Sequence, residues 1–141
     1  MDIKYNFLDI EVEEFSFLRD EYDEDQGIEL GINAEISSYL NHEEDTSMLK
    51  CELFLKLEQN DKDVLDIVSA NFFTITVDSW EKVSETEYKL PLNFISHLLL
   101  LSVSTLRGIV FEKTTEEDCR GVVLPSIDIT GLVEDDYIAD E

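Results

Sequence analysis

The chain has 141 residues, 43% hydrophobic and 10% aromatic, which suits one domain with a real core and argues against disorder. Its 34 Asp and Glu against 10 Lys and Arg give a formal net charge of −24. That excess repels phosphate backbones, so no nucleic-acid partner is expected, and basic or unfolded polypeptides fit the charge better.

Residues 5–17, YNFLDIEVEEFSF, open with alternation at Leu8, Ile10 and Val12, then switch parity to Phe15 and Phe17. The Glu13–Glu14 pair marks the slip, which predicts a strand with a bulge or break. The acidic stretch 19–27 reads as a loop. Residues 27–40 alternate cleanly, with Ile28, Leu30, Ile32, Ala34, Ile36 and Leu40 on one parity and Glu29, Asn33, Glu35 and Ser37 on the other. After a turn at 41–47, residues 48–58 repeat the pattern, with Leu49, Cys51, Leu53, Leu55 and Leu57 inward. Phe54 breaks the rule by standing on the outward parity. A second turn at 59–63 leads to a fourth strand over 64–77. Four strands with short connections predict an antiparallel meander.

Residues 78–89 read as a charged connection with a helical turn. The most apolar stretch follows, LPLNFISHLLLLSVSTLRGIVF over 90–111. Pro91 suits a first helical turn. Ile95, Leu98, Leu99, Ser102, Leu106, Ile109 and Val110 make one stripe at three- and four-residue spacing. Phe94 and Leu101 widen it, and Leu100 and Phe111 lie nearly opposite. Residues 114–121 end the helix. VVLPSIDITGLV (122–133) reads as extended, then as a short helix, and 134–141 as an acidic tail.

The helical stretch is long enough to span a bilayer, which takes about 20 apolar residues. It also holds Asn93, His97 and Arg107, three Ser and a Thr. A central Arg costs about 2.5–3.5 kcal/mol on insertion scales, so no membrane insertion is expected. A helix apolar on several sides is buried on several sides. One side covers the sheet, and the other is expected to meet a second copy in a dimer or larger homo-oligomer.

Chemical motifs are missing. No glycine-rich phosphate loop occurs, and no cofactor is implied. Setting Gly27 on the glycine of a calcium-binding EF-hand loop puts Tyr22, Gln26 and Asn33 at ligand positions, so that match fails. His42-Glu43-Glu44 lacks the second histidine of a zinc-protease motif, since residue 46 is Thr. No metal site and no catalytic residue is nominated, and the chain is read as a non-enzyme. Cys51 and Cys119 have no Cys-x-x-Cys spacing; Cys51, in an apolar alternating run, reads as a buried reduced thiol, and no disulfide is expected. MDIKYNFLDIEVEE has no basic region followed by an apolar one, so a cytoplasmic location is expected.

A binding surface remains. Phe72 and Phe73 are adjacent, so in a strand they face opposite ways. One of them, like Phe54, must leave the helix-covered face. Phe15, Phe54, Phe72, Phe73 and Trp80 are the candidate contacts for extended polypeptide in an apolar groove. Ile95, Leu98, Leu99, Leu101 and Leu106 are the candidates for packing and assembly.

Four antiparallel strands, a long helix and an extended Pro-containing segment resemble the SecB-like chaperones. The likeness in wording runs over 90–111 and over 122–133, where Leu124, Pro125, Ile127, Asp128, Ile129, Leu132 and Val133 carry it. It implies an α+β fold: a four-stranded antiparallel meander with one long and one short helix on one face, over 1–141 as one domain. It further implies ATP-independent binding of non-native polypeptide, assembly into a dimer or tetramer, and, in export relatives, delivery to a translocation motor. Other relatives protect an antitoxin. The chain ends soon after LVEDDY, so the family's last helix would be short here. The other reading is an acidic regulator or decoy that binds one basic protein, and its binding would be salt-sensitive.

Overall fold

The computed structural model describes residues 3–116 and 119–140. In chain order it contains β1 (Tyr5–Phe17), β2 (Glu29–Asn41), β3 (Thr46–Gln59), β4 (Lys62–Ile75), β5 (Glu81–Lys82), β6 (Glu87–Leu90), α1 (Leu92–Thr114), β7 (Thr115–Glu116), β8 (Cys119–Arg120) and β9 (Tyr137–Asp140). Three 3-10 turns, at Arg19–Glu21, Val77–Ser79 and Ile129–Gly131, lie between them.

The protein is α+β, with the expected antiparallel four-stranded meander and one long helix on one face. β2, β3 and β4 follow one another, and β1 joins next to β4, giving the order β1-β4-β3-β2. The β3–β4 hairpin turns on Asn60 and Asp61, with φ of 52° and 62°. Two left-handed residues give the turn a twist that matches the flanking strands, and Asn and Asp tolerate that region.

Alternation decides the layers. Leu49, Cys51, Leu53, Leu55 and Leu57 of β3 are 0–1% exposed and pair with Phe73, Asn71, Ser69, Ile67 and Leu65 of β4. The buried side of α1, with Ile95, Leu98, Leu99 and Leu106, joins the same core. α1 has the length and hydropathy of a membrane-crossing helix, and its sheet side is spent in this core.

The helix ends are tied from a distance. The Leu92 N–H donates to Asp136 Oδ1 at 2.7 Å, which caps the first turn from the C-terminal segment. At the other end Thr114 Oγ1 donates to Val110 O and accepts from Val122 N, both at 2.7 Å. Gly121 sits at φ 95°, where a Cβ would lie 2.8 Å from Phe111 O, so glycine is required. Arg107 donates to Leu124 O at 2.5 Å and Pro125 O at 2.9 Å. The one arginine in the helix is thus a clasp that holds the segment after it.

Two expectations are corrected. The expected short helix is only the 3-10 turn Ile129–Gly131 among the described residues. Half of the acidic tail is a strand: β9 pairs with β6 from Glu87↔Asp140 to Leu90↔Tyr137, and Ala139 is buried. The apolar Tyr137, Ile138 and Ala139 carry that strand, and their flanking acids masked it. Glu141, and Glu117 and Asp118 of the expected post-helix loop, lie outside the described residues.

Candidate functional site

The five aromatic candidates do not meet in one place. Phe73 is fully buried on the helix side, with the Phe7 ring centroid at 4.5 Å and that of Tyr5 at 6.2 Å. Trp80 is also buried, and its indole N–H donates to Ser47 Oγ at 2.9 Å. Ser47 passes the bond on to Ile75 O at 2.6 Å. Neither aromatic presents surface to a client, because each fills the core and Trp80 anchors the chain after β4. Phe72 faces the opposite way from Phe73, as adjacency in a strand requires.

Phe54 and Phe72 are half-buried on the face away from α1, where Phe54 pairs with Val68 and Phe72 with Lys50. The Lys50 ammonium sits 5.9 Å from the Phe72 ring centre. Phe15 is 37% exposed on the helix face, since it pairs with Ile67 of the core row. The Lys113 ammonium lies 5.2 Å from its ring centre. Phe15 and Phe54 both border an open hollow of about 430 Å³ across β1, β4 and β3, with Val68 among its lining.

Phe15, a candidate from the sequence, is one of several exposed apolar residues on and just after β1. Phe7, Leu8, Ile10, Phe15 and Leu18 are all 36–55% exposed. Ile10 and Val12 pair with Asn71 and Ser69, and Phe15 and Phe17 with Ile67 and Leu65. All four therefore face the helix layer, despite the change in parity. The expected slip is present as a register shift between Val12 and Glu14, and a second shift lies between Phe7 and Asp9. The row was legible as an alternating strand. Its exposure was not, because exposure follows from β1 being an edge.

The assembly candidates divide similarly. Ile95, Leu98, Leu99 and Leu106 are 0% exposed within one chain and have no surface left for a second copy. Leu101 is half-buried, while Leu100 and Phe111 are 49% and 44% exposed on the free side of α1. At the N-terminal end of the helix, Tyr5 Oη and His97 Nε2 are hydrogen-bonded at 2.7 Å.

Charge surrounds these apolar surfaces. On the outer face Lys50 Nζ lies 3.7 Å from Glu13 Oε2 and 3.4 Å from Glu52 Oε1. The Glu13 carboxyl is held above the ordinary carboxylate range, mainly by its hydrogen bond to Glu52, with desolvation adding and Lys50 opposing. Burial pushes the Cys51 thiol up to about 12, so it is an inert core group at neutral pH. Among the described residues, no three His, Cys, Asp or Glu side chains are placed to hold a metal ion.

No protein-family model and no curated protein matches this chain. Solved structures do. A SecB-like chaperone of Mycobacterium tuberculosis, in complex with a ChAD peptide from the HigA1 antitoxin, is similar at a TM-score of 0.53 and 14% identity. The match covers 87% of this chain and 90% of that one. A Streptococcus agalactiae protein of unknown function is similar at a TM-score of 0.54 and 12% identity, over 89% of this chain and all of the other. At such identities the likeness establishes the fold, which is SecB-like.

Proposed function

We propose that this chain is a chaperone-like protein that binds extended, non-native polypeptide without nucleotide. The observation that carries the reading is the set of apolar side chains on one face of β1, Phe7, Ile10 and Phe15, with Leu8 and Leu18 beside them, left in water on a molecule of net charge −24. Exposed apolar rows rimmed by charge mark interaction sites. The SecB-like fold supports the reading, since a neighbour with that fold holds an antitoxin peptide. Phe54 at its hollow, with Phe72 half-buried on the same side of the sheet, gives the outer face further apolar surface.

The active form in this reading is a homo-oligomer in the cytoplasm, joined through the free side of α1. Export delivery to a translocation motor, or protection of an antitoxin, are the uses that such a particle would serve. The test is aggregation of several denatured substrates at stoichiometric ratio without ATP. Suppression is expected for most of them, and no suppression for any would end the proposal. Binding of the same clients that persists in high salt would set it apart from a decoy for one basic protein, whose attraction is screened. Native mass measurement should show more than one copy, and Leu100→Glu should lower that mass while leaving the far-ultraviolet spectrum unchanged.

A further inference from the structure

We propose that the ring of Phe15 is a cation-recognition point for a lysine or arginine side chain of a bound polypeptide, and that Lys113 of the same chain holds this place until a client displaces it. The proposal rests on the polypeptide-binding reading and names a residue that selects among clients.

Two aromatic rings of the sheet carry a lysine of the chain itself. The Lys113 ammonium lies 5.2 Å from the ring centre of Phe15, and the Lys50 ammonium 5.9 Å from that of Phe72. A cation within about 6 Å of a ring centre is drawn to the negative face of the ring. Phe15 is on the helix side of the sheet and Phe72 on the other, so the two contacts form independently.

Their surroundings differ. Lys50 is also held by Glu13 at 3.7 Å and Glu52 at 3.4 Å, and leaving Phe72 would break both ion pairs. Among the described residues Lys113 is in no ion pair, although acids outnumber basic residues 34 to 10 in the chain. It is exposed in the last turn of α1, and Phe15 is 37% exposed on the edge strand β1. An exposed cation–ring contact biases occupancy only about two- to fivefold. A lysine held so lightly gives way to another cation brought in by a bound chain.

Charge selects the occupant. Phe15 shares its face of β1 with Phe7 and Ile10, all exposed. A client with apolar side chains against Phe7 and Ile10 passes Phe15 at the C-terminal end of α1. A molecule of net charge −24 favours a basic residue there, whereas a second copy would bring another −24.

The probe is an unstructured 20-residue peptide with four lysines among apolar residues, beside a version with norleucine in their place. Affinities are measured in about 1 M salt, where attraction between distant charges is screened within about 3 Å. Phe15→Leu keeps apolar area and removes the ring. It should weaken the lysine peptide about two- to fivefold and leave the norleucine peptide unchanged. Lys113→Gln should strengthen the lysine peptide at least about twofold, and this gain should vanish in the Phe15→Leu background. Lys82→Gln makes the same change of charge in β5, before the start of α1, and should give no gain. In a trimethyl-lysine version of the peptide, the methyl protons should shift upfield on binding, through the ring current of Phe15, and not on binding to Phe15→Leu.

Equal weakening of both peptides by Phe15→Leu, or equal gains from Lys113→Gln and Lys82→Gln, overturns the cation point and leaves polypeptide binding standing. So does failure of the lysine peptide while denatured clients still bind. Failure of the peptides and of denatured clients alike overturns both readings. A lower native mass in Phe15→Leu, with peptide affinity unchanged, assigns the ring to a second copy and also overturns the proposal.

Discussion

β1 and β2 are both 13-residue edge strands of one sheet, and they treat their open sides differently. β1 is broken by two register shifts and carries Asp9, Glu11, Glu13 and Glu14. β2 runs without a break and carries only Glu29 and Glu35. A bulged, acidic edge resists pairing with another strand, and a flat, nearly neutral one invites it. Yet β1 holds more of the exposed large apolar side chains, Phe7, Leu8, Ile10 and Phe15, against Tyr39 alone on β2. The difference teaches that two kinds of stickiness have been separated. β1 offers several apolar side chains on a bulged ladder, and β2 offers an unbroken ladder with Tyr39 as its one large exposed side chain.

The largest test of this contrast is the anchoring of each edge. Phe73→Ala removes the buried ring against which Phe7 and Tyr5 stack, and should cost about 3–5 kcal/mol of unfolding free energy. Ile36→Ala on β2 removes a half-exposed side chain and should cost about 1 kcal/mol. Urea unfolding monitored by Trp80 fluorescence measures both. Equal losses would show that the two edges are embedded alike.

A smaller effect is expected from charge on the β1 side. The raised Glu13 carboxyl means that the fold favours its protonated form. Its contribution is full below the ordinary Glu value and is lost as pH rises through the raised one. Glu13→Gln should therefore raise Tm at neutral pH and flatten the decline of stability above the ordinary carboxylate range. No Tm change between pH 4 and 7, relative to the parent, would remove the Glu13–Glu52 pair as a pH-sensitive element.

Below that come two local adjustments. Ser69 Oγ is buried beneath the helix with no hydrogen-bond partner. Ser69→Ala should stabilise by about 1 kcal/mol, because an unmet polar group returns to water only on unfolding. On β2 a Cβ at Gly31 would meet nothing within 4 Å. Gly31→Thr should add about 0.5 kcal/mol by restricting the unfolded chain and suiting a strand. Thermal unfolding of each variant against the parent is the check, and a loss in Gly31→Thr would mean that the edge needs its glycine.

Much of the fold was legible. Strict alternation at Leu49 to Leu57 and at Ile28 to Ile36 named the strands and the core face, since a period of two allows only one register against a buried layer. The switch from Val12 to Phe15 across Glu13–Glu14 gave the bulge. The stripe from Ile95 to Val110 gave the helix and its sheet side. The candidate site was less legible. Phe73 and Trp80 read like Phe54 and Phe72, but lie in the core. β9 was hidden among acids, because composition speaks about solvation and a short strand depends on the partner it finds, here β6.

The sequence alone determined the local periods, the excess of negative charge and the amphipathic or all-round apolar character of each element, because these depend on neighbours a few residues apart. Only the tertiary structure decided that β1 sits beside β4, that Arg107 clasps the carbonyls of Leu124 and Pro125, and that β2 is left with an open edge. Those features arise between residues far apart in the chain, and side-chain pattern carries no record of which strand ends the sheet.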